Sequence, residues 1–338
     1  MLRRVLYGLI ALALFLAVLV TATVGWRPLL GPRARELTSR TFEVSETRLA
    51  RGRYLVRNVT GCLGCHSDVD TGRGVPTERE MTGAGKAMTP EGLPWLVAPN
   101  LTPDAETGIG TWSDDVLARA IREGIGHDGR ALFPMMPYQL YRQMSDEDLA
   151  SIIVYLRSLP PVRNALPATV VPFPPGPLIN VIPEPLDAPV AAPDLRDPIR
   201  RGEYLVAMGS CIDCHTPMND FGERIEGLEF SGGFVLQDGA GQVASSNLTP
   251  DPSGIPYYTE ELFVDTMRTG RVVARQLNDI MPWWGYRGMT DDDLRAIFAY
   301  VRTLPPVRHR VDNTLEPTLC VLCGLEHGAG EDNVPGGG

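Results

Sequence analysis

The sequence has 338 residues and a formal charge of −10 at pH 7, because 41 Asp and Glu outnumber 31 Lys and Arg. An acidic protein of this kind is not expected to bind nucleic acid, which requires a basic patch, and it favours transient docking with a basic partner protein. Only one of the basic residues, Lys86, is a lysine. Any positively charged docking patch is therefore built from arginine.

The N-terminal segment contains 22 consecutive uncharged residues, Val5 to Trp26, after the pair Arg3-Arg4. A run of this length spans a bilayer. Because arginines beside such a run stay in the cytoplasm, we predict that residues 1–30 anchor the chain with its N-terminus inside. The alternative is a cleaved signal peptide. Either way the chain is exported, and we expect it at the bacterial cytoplasmic membrane with its main part in the periplasm.

Two copies of the pattern Cys-x-x-Cys-His follow, at 62–66 and 211–215. Haem c is attached at this pattern: the two thiols bond to the haem vinyl groups and the histidine becomes an axial ligand of iron. The sequence therefore predicts two covalently bound haem c groups. The predicted attachment residues are Cys62, Cys65, Cys211 and Cys214, and the predicted proximal ligands are His66 and His215.

The sequence around each motif is repeated, which indicates an internal duplication. Some shared segments precede the motifs and others follow them at nearly constant spacing. The repeated segments are Arg-Gly-x-Tyr-Leu-Val at 51–56 and 201–206, Asn-Leu-Thr-Pro-Asp at 100–104 and 247–251, and Leu-Pro-Pro-Val-Arg at 159–163 and 304–308.

The duplication predicts two domains, residues 45–165 and 196–310, each of the usual size for an independently folding unit. Twelve prolines lie between Pro160 and Pro198. Such a density excludes a regular helix and favours extended, semi-rigid chain, so residues 166–195 form the predicted linker. The apolar run from Leu178 to Ile182 within it predicts contact with a domain surface or a partner.

A second axial ligand is needed at each iron of an electron-transfer cytochrome, and methionine sulfur opposite histidine raises the reduction potential. Met136-Pro137 in the first copy matches Met281-Pro282, 145 residues later, so Met136 and Met281 are the predicted ligands. The proline stiffens the loop beside the sulfur. Met135 aligns with Ile280 and is not favoured. His127 has no counterpart in the second copy and is interpreted as a loop residue.

Helical patterns dominate both copies, and no β-alternation of useful length is present, so we predict an all-α fold. Apolar residues recur at helical spacing after the N-cap residues Ser145 and Thr290, and each pattern ends before a Pro-Pro pair. Further helices are predicted at 113–123 and 259–269 and immediately before each haem motif. In the latter, Gly52 and Gly202 are expected to permit close approach to Tyr155 and Tyr300, respectively.

With these motifs the sequence resembles a family of proteins in which two domains of the mono-haem cytochrome c fold stand in tandem. The resemblance is closest to membrane-bound cytochrome c subunits that accept electrons from periplasmic alcohol, aldehyde or gluconate dehydrogenases, as judged from residues 100–104, 108–112 and 136–138. Those subunits typically carry three haems, whereas this sequence has two motifs. The resemblance implies a haem-edge or propionate contact for Trp112, and Tyr258 is the corresponding candidate in the second copy.

The tail, residues 311–338, contains a third cysteine pair, Cys320 and Cys323, that lacks the following histidine and should not hold haem. A local disulfide is the first interpretation in an oxidising compartment. A redox dithiol and a metal site that uses His327 are the alternatives. His309 and His327 are expected to be exposed to solvent, and the glycine-rich end after the cysteine pair is expected to be disordered.

These patterns predict a membrane-anchored di-haem cytochrome c that relays electrons and has no substrate of its own. Its expected donors are a quinol-oxidising complex or a dehydrogenase, and its expected acceptors are an oxidase or a soluble cytochrome. Two alternatives remain open at this stage. One is a di-haem peroxidase, which needs an iron with a free coordination position, and the other is a haem-bearing structural subunit of a respiratory complex.

Overall fold

The computed structural model describes residues 2–23, 25–67, 69–70, 75–76, 81–83, 93, 95–220, 222–238 and 241–333. Lys86 lies outside these residues. Helices dominate the described part, as predicted. The helices are α1 (Leu2–Thr23), α2 (Arg27–Leu30), α3 (Glu46–Asn58), α4 (Cys62–His66), α5 (Asp114–Glu123), α6 (Tyr138–Tyr141), α7 (Asp146–Ser158), α8 (Pro175–Leu178), α9 (Pro198–Met208), α10 (Cys211–His215), α11 (Glu260–Thr269), α12 (Trp283–Tyr286) and α13 (Asp291–Val301), with 3-10 turns at Ile179–Val181 and Gly330–Asp332.

The all-α prediction misses four short antiparallel hairpins in the described part of the chain. They are β1–β2 (Val69–Asp70, Val75–Pro76), β3–β4 (Val235–Asp238, Gly241–Ala244), β5–β6 (Arg271–Val272, Arg275–Gln276) and β7–β8 (Pro317–Leu319, Glu326–Gly328). Their strands have two to four residues, which is too short for a period-2 pattern to be read from sequence.

Helix α1 is apolar and its described side chains are largely exposed. Within the described residues it is the one helix long and apolar enough to cross a membrane, over Arg3–Thr23. Length and composition are equally those of an N-terminal signal sequence, so both predictions for this segment fit the helix.

The chain, α1 included, divides into two compact units. Unit 1 contains the described residues of Met1–Thr41, Trp112–Arg142 and Thr169–Pro189, and unit 2 contains those of Phe42–Thr111, Gln143–Ala168 and Val190–Gly338.

Unit 1 is organised around α5, which begins after its N-cap Ser113 as predicted. Asp115 in its first turn is fully buried and accepts hydrogen bonds from Arg35 at 2.7 Å and from the backbone of Thr38 at 2.6 Å. Burial alone would raise the pKa of this carboxyl, but the bonds from Arg35 and Thr38 lower it to about 2.

The proline-rich segment, over residues 169–189, belongs to this unit as well, and its apolar run places Ile179 in a buried position.

Unit 2 is built on two equivalent helix pairs, α3 with α7 and α9 with α13. Helices α7 and α13 begin at the predicted N-caps, Ser145 and Thr290, whose hydroxyl groups accept hydrogen bonds from the helix backbone. The predicted glycine contacts are confirmed. A Cβ atom at Gly52 would lie 1.9 Å from the carbonyl oxygen of Ser151 and 2.7 Å from Cβ of Tyr155, and one at Gly202 would meet α13 in the same way.

The two helix pairs exchange hydrogen bonds through one tyrosine each. Tyr204 of α9 donates to the carboxylate of Asp148 in α7 at 2.8 Å and accepts from the backbone N–H of Ser145 at 3.2 Å. Tyr54 of α3 donates in the same way to Asp293 of α13 and accepts from the backbone N–H of Thr290 at 3.1 Å.

An arginine of its own pair balances each carboxylate in this exchange. Arg51 gives Asp148 two hydrogen bonds of 2.8 Å, and Arg201 gives Asp293 one of 2.5 Å. Burial and the hydrogen bond to Asp293 raise the pKa of Tyr54 to about 12, so the phenol keeps the proton that it donates. The contact is reciprocal, as at a two-fold interface, and it fixes the position of the two pairs relative to each other.

We predict that Gly52→Ala destabilises unit 2 by about 1–3 kcal/mol, because the added methyl group must displace the backbone of α7. Thermal unfolding followed by circular dichroism would measure the change. Gly285→Ala is the matched control, since an added Cβ there has no described atom within 4 Å. Equal melting temperatures for the two variants would contradict the close packing at Gly52.

We also predict that Tyr204→Phe and Tyr54→Phe each cost roughly 1.5–3 kcal/mol, because each removes one hydrogen-bond donor from a buried carboxylate and leaves that carboxylate to its arginine alone. Guanidinium unfolding would give the free energies. Tyr300→Phe is the control, since its hydroxyl group makes no hydrogen bond to the residues that the structure describes. A loss as large for Tyr300→Phe would show that the effect is not specific to the exchanged bonds.

Candidate functional site

The two Cys-x-x-Cys-His motifs form single-turn helices, α4 and α10. Each begins after a residue in the left-handed region, Gly61 at φ 63° and Ser210 at φ 54°. Burial raises the pKa of Cys65 and of Cys211 to about 12. Unreacted thiols at these positions are therefore protonated at neutral pH, which does not suit a redox dithiol, because that chemistry requires a thiolate.

Both motif histidines are held by one backbone carbonyl each. Nδ1 of His66 lies 2.9 Å from the carbonyl oxygen of Pro99, and Nδ1 of His215 lies 2.8 Å from that of Ser246. Because a carbonyl oxygen only accepts, Nδ1 carries the proton and Nε2 presents a lone pair. Burial lowers the pKa of both rings, which keeps them neutral. A neutral imidazole with a fixed Nδ1–H is the donor that haem iron needs.

A glycine N–H binds the backbone carbonyl group of each motif histidine. The carbonyl oxygen of His66 accepts from the backbone N–H of Gly83 at 2.9 Å, and that of His215 accepts from Gly232 at 2.8 Å. Both glycines have positive φ, 87° and 74°. A Cβ at Gly232 would lie 2.4 Å from the backbone of Ser246, whose carbonyl oxygen binds His215. The two backbone segments therefore pack so closely that only glycine fits at position 232.

The repeated Asn-Leu-Thr-Pro-Asp segment joins these supports to the helix pairs. The side-chain oxygen of Asn100 accepts from the backbone N–H of Thr102 at 2.9 Å, and its amide donates to the carbonyl oxygen of Val162 at 2.8 Å. Asn247 makes the same bonds to Thr249 and Val307 at 2.9 Å. The sequence alone did not assign a role to these asparagines. Both asparagines recur directly after the residue whose carbonyl oxygen binds the motif histidine, and this recurrence is the sequence signal that could have indicated their role.

The two predicted methionine ligands stand in matching loops. Met136 precedes Pro137, whose φ and ψ are −80° and 45°, and Met281 precedes Pro282, at −79° and 48°. A short helix follows in each case, α6 or α12. Met135 is 38% exposed, whereas Met136 is half-buried. Met136 belongs to unit 1 and His66 to unit 2, so their pairing on one iron stays a prediction, as does that of Met281 with His215.

The two aromatic residues predicted to contact a haem edge, Trp112 and Tyr258, each lie beside another ring. The ring of Trp112 is stacked on the exposed His127, with centroids 4.2 Å apart, and Tyr258 is half-buried beside Tyr257. Burial raises the pKa of Tyr258 to about 12, so its hydroxyl group is neutral. The haem contacts of Trp112 and Tyr258 stay predictions.

The two attachment motifs lie close together within unit 2. A Cβ at Gly209, two residues before Cys211, would lie 3.5 Å from the carbonyl oxygen of Val59, three residues before Cys62. The first motif also faces helix α12, which follows Met281-Pro282, since a Cβ at Gly64 would lie 3.5 Å from the indole ring of Trp284. Buried Tyr286 donates to the carbonyl oxygen of Gly209 at 2.7 Å and completes this region.

The structure differs from the sequence-based expectations at the C-terminal cysteine pair and its two neighbouring histidines. Cys320 and Cys323 are buried free thiols rather than a disulfide. His309 and His327, expected at the surface, are buried, with 0% and 2% exposure. The described part of the tail contains the hairpin β7–β8, in which His327 lies, and β8 packs against β4 of the second copy. Residues 336–338 lie outside the described part.

Comparison with known proteins places the first copy in a family: the cytochrome c model matches residues 49–160. Residues 49–160 form a cytochrome c domain. The chain is also similar to the cytochrome c subunit of a quinone-dependent alcohol dehydrogenase of Gluconobacter oxydans, with 28% identity over 78% of this chain and 56% of that protein. A nicotinate dehydrogenase subunit of Pseudomonas putida is 38% identical over 77% of this chain and 22% of its own length.

A diheme cytochrome c-type protein of Cereibacter sphaeroides is 28% identical over 73% of this chain and 83% of its own length. The chain thus spans about half of the alcohol dehydrogenase subunit and about a fifth of the nicotinate dehydrogenase subunit. A cytochrome c domain carries covalent haem c, and the Cys62–His66 helix is the part of this domain that would hold it.

We predict that each haem motif attaches one haem. The double variants Cys62→Ser/Cys65→Ser and Cys211→Ser/Cys214→Ser should each lose one of two haems, measured by intact mass and by the pyridine haemochromogen spectrum. Cys320→Ser/Cys323→Ser is the matched control and should keep both, because no histidine follows that pair. Loss of haem from the control, or none from either motif variant, would refute this assignment.

Proposed function

We propose that this chain is an electron-relay subunit: a di-haem cytochrome c, anchored in the bacterial cytoplasmic membrane by α1, with its haem domains in the periplasm. The observation that carries the proposal is the occurrence of two equivalent haem-attachment motifs, each with a carbonyl-held histidine and a matching Met-Pro loop. When bound, the haems would supply reversible one-electron chemistry.

The domain plan follows from the duplication. We propose one cytochrome c domain over residues 45–165 and a second over 196–310, with a proline-rich linker, residues 166–195, between them. His66 and Met136 would be the axial ligands in the first domain, and His215 and Met281 in the second. The matched backbone angles at Pro137 and Pro282 support the same ligand type in both.

Direct transfer between the two sites is supported by their closeness. Helix α12, which follows Met281-Pro282, faces the first attachment helix, and the reciprocal tyrosine bonds hold the helix pairs in place. For such transfer the protein has to keep water away from the two proposed haems and hold them at a fixed distance from each other. Buried aromatic residues, Trp284 and Tyr286, fill the space beside the cysteines.

The partners are inferred from the relatives and from charge. The alcohol dehydrogenase subunit and the nicotinate dehydrogenase subunit suggest that a dehydrogenase delivers electrons to this chain, and a quinol-oxidising complex is the other donor considered. The acceptor would be an oxidase or a soluble cytochrome. A formal charge of −10 favours a partner with a basic docking face, and raised salt should weaken the encounter.

Axial ligation gives the sharpest test of this function. Met136→Leu and Met281→Leu should each lower one reduction potential, open one iron to carbon monoxide in the reduced protein and slow electron delivery to the acceptor, because methionine ligation raises the potential. Met135→Leu is the neighbouring control and should change none of these. Redox titration and optical spectra with carbon monoxide measure the first two effects.

Binding of carbon monoxide by the unmodified reduced protein would contradict the relay, because it would reveal an open iron of the peroxidase type. Unchanged electron delivery with Met281→Leu in the intact complex would favour a structural subunit instead. Purification in detergent, followed by identification of the co-purifying subunits, would identify the donor and acceptor.

A further inference from the structure

Four buried side chains with metal-binding atoms converge at the C-terminal hairpin: His309, Cys320, Cys323 and His327. Nε2 of each histidine and Sγ of each cysteine lie within 4.8 Å of one another. All four residues are less than a tenth exposed. They belong to unit 2 but to neither haem motif, so the electron-relay function does not use them.

We propose that these four residues bind a zinc ion. A tetrahedral zinc with Zn–N of about 2.0–2.1 Å and Zn–S of about 2.3 Å holds its ligand atoms roughly 3.3–3.7 Å apart. The two Nε2 atoms are separated by 3.2 Å, Cys320 Sγ and His309 Nε2 by 3.4 Å, and Cys323 Sγ and His327 Nε2 by 3.5 Å. Three of the six separations between ligand atoms therefore already match a tetrahedral zinc site, and all six lie within 4.8 Å.

The hydrogen bonds of the two rings direct lone pairs at the centre of the cluster. Nδ1 of His327 lies 2.9 Å from the carbonyl oxygen of Gly328 and must donate to it. Nδ1 of His309 lies 3.2 Å from both the hydroxyl and the carbonyl oxygen of Ser231, and that hydroxyl group donates to Leu228 at 2.8 Å. His309 therefore also donates through Nδ1.

With Nδ1 donating on both rings, the two Nε2 atoms face each other across 3.2 Å in a buried space. The weak S–H groups of Cys320 and Cys323 are the described neighbours that could donate to them, and a cation between the two nitrogens would bind both lone pairs. A zinc ion with two thiolates would satisfy all four groups and carry no net charge, which suits a site removed from water. A disulfide would bond the two sulfur atoms to each other and leave no cation between the two imidazole nitrogens.

The local backbone fits a metal-binding turn. Cys320 and Cys323 occupy the turn between β7 and β8, where Gly324 adopts a φ of 71° and its N–H bonds to the carbonyl oxygen of Cys320 at 2.8 Å. Two residues separate the cysteines and three separate Cys323 from His327. These are common spacings at structural zinc sites, and tetrahedral S₂N₂ ligation selects zinc among the available metals.

The site joins the tail to the support of the second haem histidine. His309 packs on Gly233, where a Cβ would lie 2.4 Å from its ring, and the adjacent Gly232 donates to the carbonyl oxygen of His215. Four protein ligands leave no open coordination position, so the role is structural rather than catalytic. Zinc would fix the glycine loop that positions His215.

The test uses the full-length protein, expressed in the periplasm and purified without added metal or chelator. Elemental analysis should find about one zinc per chain beside the haem iron, and X-ray absorption at the zinc edge should show two sulfur and two nitrogen neighbours at the distances typical of zinc. Cys320→Ser/Cys323→Ser and His327→Ala should lose the zinc and keep both haems. His127→Ala, at an exposed histidine outside both haem motifs and the cluster, should keep it.

Thiol trapping distinguishes zinc from a disulfide in the unmodified protein and does not depend on a variant folding. Zinc ligation predicts that an alkylating agent modifies Cys320 and Cys323 of the native protein only when a chelator is present, and that both cysteines react after non-reducing denaturation. Chelation should also lower the melting temperature without removing iron. A mass two hydrogens lighter with no alkylation would establish the disulfide and overturn the proposal, as would thiols that react freely in a protein without zinc. Neither outcome would alter the electron-relay proposal, which rests on the haem motifs.

Discussion

The reciprocal hydrogen bonds between the two helix pairs are the constraint on which the arrangement of unit 2 depends. Tyr204 reaches Asp148 and Tyr54 reaches Asp293, so each copy supplies the donor for the carboxylate of the other. These carboxylates are buried and already paired with arginine, which makes a missing donor costly. The exchange therefore selects one relative position of the copies and brings the attachment motifs together.

Within each copy, backbone groups rather than charged side chains hold the motif histidine that we propose as an iron ligand. A carbonyl oxygen fixes Nδ1 of His66 or His215, and a glycine N–H binds the histidine's own carbonyl group. The asparagine of the repeated segment then ties this support to the chain that follows the last helix of the copy. Because the bonds are the same in both copies, differences between the haem potentials should come from burial and from nearby charges.

Local features could be predicted from the sequence because they depend on neighbouring residues. The attachment motifs, the N-caps Ser145 and Thr290, and the glycines at the helix crossings all follow from side-chain type and spacing. Features that depend on distant partners could not be predicted. The tyrosine exchange joins residues more than two hundred positions apart in one case, Tyr54 with Asp293. Likewise, His309 lies at the end of the second copy and His327 in the glycine-rich tail, and both are buried only once the chain has folded.

Electron exchange between the two sites of one molecule is the central claim, and flash photoreduction tests it most directly. After one electron is delivered to the oxidised protein, optical spectra should show it passing between two distinguishable haems at a rate that does not change on dilution. A rate proportional to protein concentration would contradict the account, because it would mean that electrons pass between molecules and that the closeness of the two attachment motifs has no role in transfer.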